Sequence, residues 1–400
     1  MESNPENKGP SPAVFRLVWG AVIVVAIGCV AVVYNAYQAQ VERNQAGIFK
    51  PASHRPVIRP PARPRGHELD APLDVLSLGL RSNLNAVVTA VPNRPHNPVE
   101  VRSRTMGDEF KRRRSFTIST DANGIRIPDS RAGKPVTYVG QKKGFRIVAM
   151  GASESFGWGV PYTQSYPAQL ERLLGVEVVN ASAPSRRSME LVVWAQTNLP
   201  LLEPDLVIYA LRPPYPVTNP VGSFAKSMTS LAEAAGTAPL VVVLPPLSTF
   251  DLQMPDIQKV YPQAPDIVAA DVAAVTQAIA PIAVIGLTGP FRDALSTYNG
   301  ARPGEVIVTM KTIDGQQVLI AADGSQVLSA EAPDASKRSR FYGVPPSVIA
   351  SEILSAFEQR PEMREPLFFD GGHPDQDGYR LMAETIASIL RDKGLVPSGS

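Results

Sequence analysis

Cysteine and histidine are scarce: one Cys, Cys29, and four His in 400 residues. A lone cysteine excludes an intrachain disulfide and any metal site built from cysteines. An excess of charge of one sign is also missing. Lys and Arg number 39 against 37 Asp and Glu, a net charge of +2, which excludes nucleic acid as the main partner. The spacing G-x-G-x-x-G is absent after the strand where a dinucleotide site would sit, and no cofactor or metal is expected. What the chain has in excess is proline, 39 residues gathered in particular stretches, and its 44% hydrophobic content suffices for a large core.

After a short N-terminal tail (1–16) comes an uncharged run, 17–37 (LVWGAVIVVAIGCVAVVYNAY). About 20 residues rising ~1.5 Å each cross the ~30 Å hydrocarbon layer, and Trp19, Tyr34 and Tyr37 lie near the ends of the run. No small-x-small cleavage site follows it, and the chain stays apolar beyond Cys29, unlike a processed lipoprotein. The run therefore reads as an uncleaved single-pass transmembrane helix. Arg43, Lys50, Arg55, Arg59, Arg63 and Arg65 follow it, so a literal positive-inside count would keep the large domain in the cytoplasm. Long domains often translocate regardless of charge, and the expectation is a membrane protein whose catalytic domain is extracytoplasmic, on the periplasmic side.

Residues 38–66 form a Pro/Arg-rich linker, because Pro51, Pro56, Pro60, Pro61 and Pro64 favour extended backbone. Residues 67–143 alternate in short stretches and predict a small β-rich N-terminal module. From 144 to 396 strands and helices alternate. Apolar strands are predicted at 145–150, 176–180, 206–211, 240–244 and 282–287, and helices at 165–174, 189–198 and 267–280. Such β-α-β alternation predicts a three-layer α/β/α domain with a central parallel sheet, flavodoxin-like, and ligands at the carboxyl ends of the strands. Residues 305–330 break the rhythm with Asp314-Gly315 and Asp323-Gly324, both turn dipeptides, and predict an inserted β-hairpin or meander.

Of the four histidines only His373 lies in a folded context beside a carboxylate, in Asp370-Gly371-Gly372-His373-Pro374. One tight turn can bring that carboxylate to the imidazole, fixing its tautomer and supporting the imidazolium. Ser153 follows the 145–150 strand in Gly151-Ala152-Ser153-Glu154-Ser155, where active sites of open sheets are built.

Together these blocks resemble those of the SGNH (GDSL-type) hydrolase family, over roughly 145–390. The Gly-Asp-Ser-x-Ser/Thr block corresponds to Gly151 to Ser155, and Asp-x-x-His-Pro matches Asp370 to Pro374 in full, followed by the glycine and helix at Gly378-Tyr379. Gly157-Trp158-Gly159 and Tyr166-Pro167 look like membrane-anchored bacterial members. The resemblance implies a Ser153 nucleophile, His373 as general base and then acid, Asp370 as its orienting carboxylate, and an oxyanion hole from the backbone N–H groups of Ser153 and Ser185. Three positions depart from the pattern. Ala152 replaces an aspartate, Ser185 a glycine, and Pro214, in Arg212-Pro213-Pro214-Tyr215, the asparagine donor of the third block. Arg212 or Asn219 could supply the missing donor. The expected activity is serine ester hydrolysis on an acylated glycan of the cell envelope or a small ester. The alternatives are an O-acyltransferase using the same triad and a catalytically impaired binding or scaffolding module.

Overall fold

A computed structural model describes residues 80, 83–90, 114–134, 136–184, 188–211, 221–249, 283–295, 297–298, 300–332, 350–360, 362–369 and 373–397. The predicted anchor (17–37), the linker (38–66) and the predicted helix at 267–280 lie outside them. Among the described residues no helix is long and apolar enough to cross a membrane.

The apolar runs become the parallel strands β4 (Arg146–Met150), β5 (Glu177–Asn180), β6 (Leu206–Ala210), β7 (Leu240–Leu244) and β8 (Ala283–Gly286). They lie in the spatial order β5-β4-β6-β7-β8, all neighbours parallel. Every residue of β4, β6 and β7 is buried, which is why these segments read as unbroken hydrophobic runs rather than alternating ones. Their side chains still point to opposite faces in turn. Val148, Met150, Val207 and Tyr209 pack against Leu191, Ala195 and Leu199 of α3 (Ser188–Leu202) and Leu231 of α4 (Val221–Ala235). Ile147, Ala149, Leu206 and Ile208 face the other way, onto Tyr166 and Leu170 of α2 (Tyr166–Leu174) and Met382 and Ile386 of α7 (Gln376–Asp392). Two apolar layers on one sheet make the three-layer α/β/α architecture. Helix α3 runs a turn beyond its predicted end, through Pro200.

The sheet is mixed rather than wholly parallel, which corrects the expectation. Strands β1 (Asn85–Ala90), β2 (Arg114–Thr120) and β3 (Arg126–Ile127) extend it antiparallel to eight strands, with Arg126 pairing Asn180 of β5. The sheet thus runs across the predicted boundary at 143/144, and 67–400 forms one compact unit. Alternation in a short segment marks a half-buried strand but does not say which edge it joins.

The 305–330 segment forms β9 (Val306–Ile313), β10 (Gln316–Ala321) and β11 (Gln326–Glu331), an antiparallel meander. Asp314 and Gly315 take φ of 48° and 77° at its first turn, the left-handed backbone that a tight hairpin demands. A two-residue strand, β12 (Met363–Arg364), adds parallel to β9. This second sheet has its own core of Val308, Met310, Leu319, Ile353 and Met363, the third of these positions being on β10 and Ile353 on α6 (Ser351–Gln359).

Arg146 fixes the start of β4. Fully buried, it donates to the Glu177 carboxylate at 2.6 Å and to the carbonyls of Tyr138 at 2.9 Å and Leu202 at 2.6 Å. Arg146→Ala would strand these acceptors in a dry environment. Urea denaturation is expected to show a loss of about 3–5 kcal/mol, the cost of removing one partner of a buried ionic network.

Candidate active site

Ser153 opens α1 (Ser153–Phe156), three residues after β4 ends at Met150, with Gly151 and Ala152 between them. The turn is tight enough that Gly151 has no room for a side chain: a Cβ there would lie 2.5 Å from the Ser155 Cβ and 3.1 Å from that of Ala210. As first residue of α1, Ser153 has a backbone N–H with no intrahelical acceptor.

The helix that Ser153 opens is held from behind. Arg126, fully buried, donates to the carbonyls of Phe156 at 2.5 Å, Gly157 at 3.1 Å and Val160 at 2.9 Å, and its guanidinium lies 4.3 Å from the Phe156 ring centroid. Burial lowers its pKa to about 10, so it remains charged at neutral pH. Asn180 Nδ2 also donates to the Phe156 carbonyl, at 3.1 Å. Beneath the helix the hydroxyls of Ser182, Ser155 and Tyr166 form a buried chain, at 2.8 and 2.9 Å.

The second arm of the site is a narrow turn. Phe368 pairs with Pro374, the Phe369 N–H donates to the His373 carbonyl at 2.8 Å, and the Asp375 N–H donates to the Leu367 carbonyl at 2.9 Å. Leu367 takes φ 65°, an uncommon conformation for a branched side chain and a small store of strain beside the site. The turn brings the buried imidazole of His373 to Ser153: Nε2 lies 2.9 Å from the hydroxyl oxygen, across 220 positions of sequence. This is the distance at which a serine hydroxyl can pass its proton to a neutral imidazole.

Of the residues predicted from sequence, Ser153 and His373 are therefore brought together. Asp370 and Ser185 lie outside the described residues, as do Arg212, Pro214 and Asn219. Among the described residues no cluster of His, Cys, Asp and Glu could hold a metal ion.

Sequence reasoning missed the group that fixes the turn. Asp375 Oδ1 accepts from the N–H groups of Asp377 at 2.9 Å and Gly378 at 3.0 Å, capping α7, while its Oδ2 accepts from Arg364 at 2.7 Å. Arg364 also reaches Glu305 at 2.7 Å, the Tyr298 hydroxyl at 2.8 Å and the Gly300 carbonyl at 3.1 Å. One guanidinium thus ties the second sheet to the residue two places after His373. An aspartate just before a helical stretch is an N-cap signal that could have found Asp375; nothing local marks its partner, 11 positions upstream.

No protein-family model matches the chain. No curated protein matches it. Its structure is similar to that of a putative lipolytic protein of the G-D-S-L family from Desulfitobacterium hafniense DCB-2, at 17% identity and TM-score 0.34 over 61% of this chain and 99% of that one. It is similar also to a lipase/acylhydrolase from Enterococcus faecalis, at 15% identity and TM-score 0.36 over 64% and 99%. A third likeness is to a two-domain esterase active on acetylated mannans, at 12% identity and TM-score 0.34 over 64% and 52%. None of the three is close enough to fix a family for this chain.

Two tests address the turn. A Cβ at Gly378 would fall 2.1 Å from the Leu367 carbonyl oxygen, so Gly378→Ala must push α7 off the turn. A fall in thermal midpoint is expected together with loss of whatever activity Ser153 supports. The Glu305 carboxyl is raised by burial, but hydrogen bonds from the Arg302 amide and Arg364 outweigh this and hold it below its ordinary value. A depressed pKa adds stability that is present above the unfolded value, about 4.3, and lost as pH falls through the folded one. The unfolding free energy should therefore drop on acidification below about pH 4, and drop less in Glu305→Gln.

Proposed function

We propose that the chain is a serine ester hydrolase of the SGNH (GDSL) type. The observation that carries this reading is the 2.9 Å approach of His373 Nε2 to the Ser153 hydroxyl. In the proposed reaction Ser153 Oγ attacks the acyl carbonyl as its proton passes to Nε2. The tetrahedral oxyanion then collapses, Nε2–H protonates the departing alkoxide, and an acyl-serine remains. Water, deprotonated by the same nitrogen, releases the acid and restores the hydroxyl. Asp370 would accept from Nδ1–H and support the imidazolium. The oxyanion would be met by the N–H groups of Ser153 and Ser185.

Pro214 offers neither an amide side chain nor an N–H at the position of the third-block donor, and one missing oxyanion donor typically costs ~10²–10³ in turnover. A slow esterase is the consequence. The uncharged run at 17–37 supports a single-pass anchor, and on this reading the domain is extracytoplasmic. Such a tether favours an acylated envelope glycan or a small ester at the membrane face as substrate.

The test is covalent. A fluorophosphonate probe should label the wild-type chain at Ser153, and Ser153→Ala should abolish both labelling and hydrolysis of 4-nitrophenyl acetate. Undiminished hydrolysis by Ser153→Ala would remove the assignment. A folded wild-type chain that neither labels nor turns over would point instead to a binding module.

A further inference from the structure

A cation stands beside the turn that carries His373. Arg114 begins β2, whose Phe116 and Ile118 pack in one apolar cluster with Phe156 of α1 and Phe369 of the turn. The Arg114 guanidinium lies 4.8 Å from the Phe369 ring centroid. Phe369 in turn bonds through its N–H to the His373 carbonyl at 2.8 Å. The accessory strands thus pack on both the helix that carries Ser153 and the turn that carries His373, and Arg114 is the charge they bring to that turn.

The ionised groups acting on Arg114 are Asp375, Arg302, Arg364 and Glu305. Both carboxylates are already held by Arg364, each at 2.7 Å. Among the described residues three guanidinium groups therefore share two carboxylates, and the Arg114 side chain makes neither a hydrogen bond nor an ion pair. A half-buried guanidinium has lost part of its hydration, and stacking on one ring returns only a fraction of it. Its planar N–H fork, held in place by Phe369, suits bidentate contact with an oxyanion.

We propose that Arg114 is a specificity residue that binds an oxyanion, carboxylate or phosphate, borne by the ester that Ser153 attacks. The proposal rests on the hydrolase reading and narrows its substrate class to anionic esters. Charge on the acyl side and charge on the alcohol side are separable with matched pairs. The first pair is the 4-nitrophenyl ester of butyrate and the 4-nitrophenyl hemiester of succinate. The second is 1-acetylglycerol and its 3-phosphate, followed by acetate release.

The full chain is expected to prefer the anionic member of at least one pair by about tenfold or more in kcat/KM. Arg114→Gln should lower that ratio by about tenfold, mainly through KM, and Arg114→Lys, which keeps the charge but not the fork, should recover part of it. Thermal midpoints of both variants separate a misfolded wall from a lost contact. No anionic preference in either pair, or an unchanged ratio in a folded Arg114→Gln, overturns the proposal. If the wild type hydrolyses none of the four esters, the hydrolase reading falls and equilibrium dialysis of 1-acetylglycerol 3-phosphate decides the arginine. Tighter binding to wild type than to Arg114→Gln supports it, and equal binding overturns it.

Discussion

A single short approach, Ser153 hydroxyl to His373 imidazole, joins two ends of a fold that have nothing else in common in sequence. The distance is 2.9 Å across 220 positions, and it survives only if both arms are rigid to within a few tenths of an ångström. The first arm is the end of β4, a parallel strand flanked by β5 and β6, in which no residue is exposed. The second is a turn of a few residues capped onto α7 by Asp375. Because α7 and β4 pack in the same apolar layer, the core that stabilises the fold also sets the separation of the Ser153 hydroxyl and the His373 imidazole.

Both arms are finished by buried guanidinium groups, and this part was illegible in the sequence. The strands β4, β6 and β7, the Gly175 stop of α2 at φ 67° and the Asp-Gly turn of the meander all follow from local chemistry that adjacent residues declare. Ser153 and His373 could be picked out because strand-end serine and Asp-x-x-His are local patterns as well. Arg126 and Arg364 carry no such mark. An arginine in a strand is usually a solvated edge residue, and only the tertiary partner shows otherwise: three carbonyls for Arg126, two carboxylates for Arg364. The same non-locality hid the union of β1, β2 and β3 with the main sheet. Their alternation announced strands, while the edge they join is set by a single pairing, Arg126 with Asn180, two segments more than fifty positions apart.

The two guanidinium groups solve different electrostatic problems. Arg364 is neutralised by ion pairing, so it acts as a joint between the second sheet and the turn, and its contribution weakens when its carboxylates titrate. Arg126 has no carboxylate within hydrogen-bonding reach among the described residues, and it is fully buried. A bare cation so placed would be too costly to keep. It is offset by carbonyl oxygens and by the face of Phe156 at 4.3 Å. Two of those carbonyls, of Phe156 and Gly157, lie where α1 ends and the Gly157 turn begins.

This arrangement explains why α1 can be so short. Four residues form one helical turn, whose nucleation costs more than its hydrogen bonds return, and Ser153 is the first of the four. A planar fork can gather Phe156, Gly157 and Val160 oxygens at once, which the point charge of a lysine could do only by surrendering geometry. Positive charge at the carboxyl end of a helical turn is also the favourable sign. The buried arginine thus supplies the terminal bonds that a longer helix would have made for itself, and the turn that carries Ser153 is held from its far end.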